Sequence, residues 1–107
     1  MNEKLISKIL KLADTVSYQD SAVVSKEILK KKTGGITLFA FDRGQGLSEH
    51  TAPFDAFVYI FDGKADISIN SKIYKLKAGE FIIMPANKPH SLKAKQRFKM
   101  MLVMIRA

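Results

Sequence analysis

The apolar positions along the chain change period once. Over residues 2–14, Leu5, Ile6, Ile9, Leu10, Leu12 and Ala13 fall on one broad stripe with Lys4, Ser7, Lys8 and Lys11 opposite. That spacing predicts an amphipathic helix with Asn2 as its cap. From Val16 onward, short runs rich in Val, Ile, Phe and Tyr are interrupted by Gly, Asp, Asn and Pro about every ten residues, the pattern of an all-β sandwich or barrel. Strands are expected at 16–19, 22–31, 35–42, 56–63, 64–70, 72–77, 80–85, 90–94 and 98–106. The clearest alternation is in 64–70, where Ala65, Ile67 and Ile69 share one face and Asp66, Ser68 and Asn70 the other. Asn70 and Ser71 predict a tight hairpin, and Ala78 and Gly79 a turn.

Three segments, 35–41, 56–61 and 98–105, are apolar on both faces. Strands of that kind belong inside two layers, and a chain this small has few layers to offer, so a homodimer is expected. With 107 residues the chain reads as one domain, 1–107, with a helix within 1–15.

Composition removes several function classes. Apolar residues make up 47% and charged residues 26%, which is ordinary for a globular domain. The longest apolar runs are AFVYIF and MMLVMI, too short to cross a bilayer. Lysines are interleaved with the apolar residues of the N-terminus, unlike a secretion signal, so a cytoplasmic protein is expected. Cysteine is absent, which excludes disulfides, thiolate nucleophiles and cysteine-ligated metals. The net charge of +8 invites a nucleic-acid reading, but the basic residues are mostly Lys, spread through every segment and outside any recognisable nucleic-acid motif. Nucleic acid is therefore not the expected partner.

The remaining chemistry gathers around the two histidines. RGQG is followed by LSEHTAP with His50, by a strand ending in Asp62 and Gly63, and then by a hairpin, LKAGE, a strand and MPANKPH with His90. This order resembles the cupin family, and the resemblance covers 34–105. It implies a jelly-roll barrel, or double-stranded β-helix, with a short N-terminal α-helix. Gly44, His50 and Gly63 match the family's first motif, and Gly79, Pro85 and His90 its second. Ala52 stands where the family has a second histidine, Ala56 where it has a glutamate, Asn87 at a glycine position and Ala94 at an asparagine. Asn87 suits a backbone with positive φ.

The family's usual metal site takes three histidines and a glutamate, which leaves positions open on a divalent metal for substrate. With two histidines in the chain, that set cannot form in one subunit. A reduced site for Mn, Fe, Ni, Cu or Zn would use His50 and His90 with a carboxylate, Asp55 or Glu49 being nearest in sequence. Strand parity turns Asp55 away if Ala56 faces inward. The resemblance also places Val58 and Ile60 on the inner face, and Phe54 and Met84 near the mouth of a pocket more apolar than a metal cupin's. Gln45 and Ser48 suit a turn near it.

No serine has a nucleophile elbow, and GQG lacks the helix that follows a phosphate-binding loop. Three readings follow. The first is a binding module for a small organic ligand held by His50 and His90, with Val58, Ile60, Met84 and Phe54 as walls. The second is a metal-dependent isomerase or dioxygenase on a two-histidine site, and the third is an interaction protein with a vestigial pocket.

Overall fold

The computed structural model describes residues 3–107. Eight strands are present among the described residues: β1 (Val23–Lys31), β2 (Gly34–Phe41), β3 (Gly46–His50), β4 (Phe54–Ile69), β5 (Lys72–Lys77), β6 (Phe81–Met84), β7 (His90–Lys93) and β8 (Phe98–Arg106). All pairings are antiparallel. One sheet runs β1-β2-β8-β4-β6 and the second β5-β4-β7-β3, so β4 belongs to both. The curled all-β barrel of the sequence analysis is present, with one short helix, α1 (Leu12–Thr15).

β4 makes the corner between the sheets. The sequence suggests two strands meeting near Gly63, whereas the chain continues as one strand through a bulge between Ile60 and Asp62 in its pairing with β8. One extra residue reverses which parity points inward. Ala56, Val58 and Ile60 are buried before the bulge, and Ala65, Ile67 and Ile69 after it. Gly63, with φ +73°, supplies the backbone that the bend requires. The β4–β5 hairpin turns on Asn70 and Ser71, both with positive φ, and Lys72–Lys77 forms as the pattern predicts.

The main core lies between the sheets, with Phe41, Val58, Ile60, Phe98 and Met100 from the first and Ala65, Ile67, Leu76 and Leu92 from the second. A smaller cluster on the outer face of the first sheet joins Leu38 and Ala40 to Val16, with Tyr18, Phe61 and Met101 packed against it. Met100 is therefore core, and Met101 and Met104 pack beside it on opposite faces.

The N-terminal segment departs from the expected helix. A single 3-10 turn at Glu3–Leu5 and the four-residue α1 are separated by a turn at Ile6 and Ser7 and a stretch without regular structure, and Asn2 lies outside the described residues. Residues 16–19 form no strand but a strap over the first sheet. Tertiary contacts win over local periodicity here. The Tyr18 hydroxyl donates to Asp62, Arg97 and Lys99 lie 5.2 and 5.0 Å from its ring, and Lys99 Nζ donates to the Ala13 carbonyl at 2.7 Å. Burial, then the hydrogen bond to Asp62, pushes the Tyr18 phenol well above its ordinary pKa. Asp42 fastens the end of the strap. Its carboxylate accepts from Arg97 Nε at 2.7 Å and from the amides of Ser21 and Arg43, which hold its pKa down to about 2.

Among the described residues no helix is long and apolar enough to cross a membrane.

Candidate functional site

β3 and β7 lie side by side at one edge of the second sheet, and a register shift between Leu47 and His50 brings His50 directly opposite His90. Ile69 of β4 flanks His90 on its other side. Gly46–His50 carries Gly, Ser and Glu and is mostly exposed, so it is legible as a strand only through its partner. The MPANKPH turn before β7 is built on Asn87, whose φ of +61° fits its glycine-like position, and the Asn87 amide donates to the Ala52 carbonyl at 2.8 Å.

The two imidazoles face each other with Nε2 atoms 3.1 Å apart and ring planes at 68°. Each Nδ1 is held by a backbone carbonyl, that of Ser48 at 2.7 Å for His50 and that of Lys88 at 3.1 Å for His90. His90 is 8% exposed, whereas His50 is open to solvent. These three contacts need three N–H protons. Two neutral imidazoles supply two, so a neutral pair that keeps both carbonyl contacts sets two Nε2 lone pairs face to face, and a singly protonated pair closes all three. A second proton would set two N–H groups head to head. Burial is the main influence that holds the His90 pKa below its ordinary value; the Lys88 carbonyl opposes it and the neighbouring His50 adds a smaller lowering effect.

The other expected site residues divide by depth. Val58 and Ile60 have no exposed surface and Met84 is 3% exposed, so all three are packed in the main core. Phe54 is half-buried, with the Arg106 guanidinium 5.6 Å from its ring. Arg106 is a neighbour that sequence reasoning missed, because strand pairing alone sets it opposite Phe54. Ala56 faces inward and Asp55 outward, as the parity argument requires. Asp55 is occupied elsewhere, its Oδ1 accepting from the Ala86 amide at 2.9 Å and so tying down the MPANKPH turn. Gln45 serves the turn before β3 through its backbone, donating to Asp42 and accepting from Ala94.

The donor set falls short of a catalytic metal centre. Such a centre takes at least about three protein ligands on open-coordinated zinc or non-haem iron. Here two nitrogens converge, Ala52 and Ala56 stand at the remaining matched positions, and Asp55 is turned away. Among the described residues no three His, Asp or Glu side chains come together in a metal-binding group.

Comparison with known proteins agrees with this architecture. The sequence model of the cupin domain matches residues 37–106. A conserved protein of unknown function from Streptococcus pyogenes is 36% identical, with a TM-score of 0.90 over 94% of this chain and 89% of its own. A cupin 2 conserved barrel domain protein from Leptotrichia buccalis is 35% identical with a TM-score of 0.88, covering 91% of this chain and 47% of that one. A cupin superfamily protein from Desulfitobacterium hafniense is 27% identical with a TM-score of 0.88, covering 94% and 93%. None of the curated protein sequences matches.

Proposed function

The chain belongs to the cupin family, and from that premise we propose that it is a small-molecule-binding member whose organic ligand is held by His50 and His90. The observation that carries this reading is the pair itself, two Nε2 atoms facing at 3.1 Å with both Nδ1 atoms already committed to backbone carbonyls. A neutral pair offers Nε2 lone pairs to a ligand hydroxyl or carboxylic acid, and a singly protonated pair donates to a carboxylate by exchanging its Nε2–Nε2 hydrogen bond for one to the ligand. Phe54 supplies the half-open apolar wall of this reading, while Met84, Val58 and Ile60 become accessible only if core side chains move.

A thermal-shift screen of sugars, carboxylates and aromatic acids tests it. Ligands that raise the melting temperature of the parent protein are expected to lose that shift in His50→Ala and His90→Ala. Shifts that persist in both variants would place the ligand elsewhere. The metal-enzyme reading is separated by elemental analysis after exposure to Mn, Fe, Ni, Cu and Zn. Binding above about a tenth of a metal per chain, lost in either variant, would favour that reading over this one.

A homodimer accompanies this proposal. Two apolar rows cross the outer face of the first sheet in register, Ile83–Phe57–Val103–Ile36 and Phe81–Tyr59–Met101–Leu38. The strap covers the Leu38–Met101 end of the second row. Phe81 and Ile83, at the β6 end of the rows, and Ile105 on the same face are 59%, 50% and 63% exposed, and half-buried Phe57 stacks on Phe81 at 4.7 Å. Apolar area of this kind is usually buried in an interface. Sedimentation equilibrium is expected to give a dimer that becomes a monomer in Ile83→Glu with Ile105→Glu. A parent protein that sediments as a monomer refutes the dimer.

A further inference from the structure

The outer face of the second sheet, directed away from the histidine pair, is strongly cationic. Lys64 projects from β4, Lys75 and Lys77 from β5 and Lys93 from β7, and Lys95 follows on the next turn. Lys64, Lys75, Lys77 and Lys95 line an open cavity of about 500 Å³ together with Asp66 and Glu80. A second cavity of about 380 Å³ shares Asp66 and Lys95 with the first and extends it past Ser68, Ser71 and Ser91.

The carboxylates organise this face without neutralising it. Asp66, mostly buried at its side chain, gathers two ammonium groups, Lys95 at 3.1 Å and Lys75 at 3.5 Å. Glu80 is turned to the backbone, accepting from the Lys77 amide at 2.9 Å. Lys64 and Lys77 are then direct cross-strand neighbours, and neither makes an ion pair among the described residues. Like charges directly opposite each other on adjacent strands weaken a sheet, so this arrangement works against folding unless an anion joins it.

We propose that this face binds a small ligand carrying several clustered phosphate groups. Lysine suits phosphate as a compact point charge, and the serine hydroxyls along the second cavity add hydrogen-bonding capacity. A nucleic acid fits less well. The face carries no arginine for bidentate contacts, since Arg43, Arg97 and Arg106 lie outside it, and its outward positions offer no aromatic ring on which a base would stack.

Inorganic tripolyphosphate, titrated calorimetrically at low and at physiological salt, is the probe. It is expected to bind one per chain, more tightly than monophosphate, and to weaken with salt. Lys64→Glu with Lys77→Glu should reduce the affinity at least about tenfold, whereas Lys30→Glu with Lys31→Glu, the same charge change on β1 of the other sheet, should change it less than about twofold. The single Lys77→Glu variant places a carboxylate opposite Lys64. It should melt at a higher temperature than the parent and still bind tripolyphosphate more weakly, which separates lost binding from lost folding. Equal losses in the two double variants, no binding by the parent, or tighter binding of a single-stranded oligonucleotide of equal charge would each overturn the proposal.

Discussion

Replacing Gly63 by alanine is expected to destabilise the fold by about 3–5 kcal/mol, a large share of the ~5–15 kcal/mol by which ordinary domains are stable. Two effects combine at this position. The backbone sits at φ +73°, where a Cβ alone costs roughly 1–2 kcal/mol. The added Cβ would also lie 2.0 Å from the Arg97 carbonyl oxygen and 3.0 Å from Phe98 Cα. Both obstacles are backbone, so no rotamer change relieves the contact. β4 and β8 would have to separate where β4 turns from one sheet into the other. Gly44 provides the control, because φ is +86° there and no heavy atom lies within 4 Å of an added Cβ. Gly44→Ala should therefore cost only the conformational term, about 1–2 kcal/mol. Urea unfolding of both variants checks this. Equal losses would show that the close approach of β8 contributes nothing.

Gly63 also shows what the sequence makes legible. Its place at the end of a motif is what the family resemblance implies, and the alternation on either side of it is visible from period alone. The continuity of β4 through it is not, since a glycine after an aspartate signals a turn equally well. The deciding contact, Arg97 against Gly63, joins residues remote in sequence. The same physics hides β3. Gly46–His50 has weak strand propensity and exists because β7 supplies its hydrogen bonds, whereas Lys72–Lys77 and Phe98–Arg106 carry strong patterns and are read to the residue. The N-terminal segment fails in the opposite direction. Its apolar stripe has helical period, but Tyr18, Arg97, Lys99 and Asp62 fix the following strap to the first sheet and only Leu12–Thr15 remains α-helical.

The candidate site was legible in its residues and less so in its geometry. Counting histidines was enough to exclude a three-histidine centre within one subunit, and strand parity was enough to turn Asp55 outward. Facing Nε2 atoms required the register shift in β3, which leaves no trace in local sequence. The carbonyl partners of the two Nδ1 atoms are likewise backbone groups, available from any residue type. For that reason Ser48 matters through its main chain, and its hydroxyl is no guide to its role.

Phe98→Ala is the second large effect, expected to cost about 3–5 kcal/mol by leaving a cavity between the sheets. Phe98 has no exposed surface, and its ring stacks on that of Phe41, also fully buried, with centroids 4.5 Å apart. It pairs in register with Phe41 on one side and Gly63 on the other, so one row of residues carries both the aromatic stack and the corner of β4. Phe98→Leu should lose less, because a branched aliphatic side chain refills part of the space. The row also predicts coupling. In Gly63→Ala with Phe98→Ala, the backbone of β8 around Arg97 gains room to withdraw from the new Cβ, so the double variant should be destabilised by less than the sum of the single losses, by about 0.5–2 kcal/mol. Additivity within experimental error would mean that the collision at Gly63 and the packing of Phe98 are independent. Then β8 holds its position at the corner through its hydrogen-bond ladder, without support from the aromatic stack beneath it.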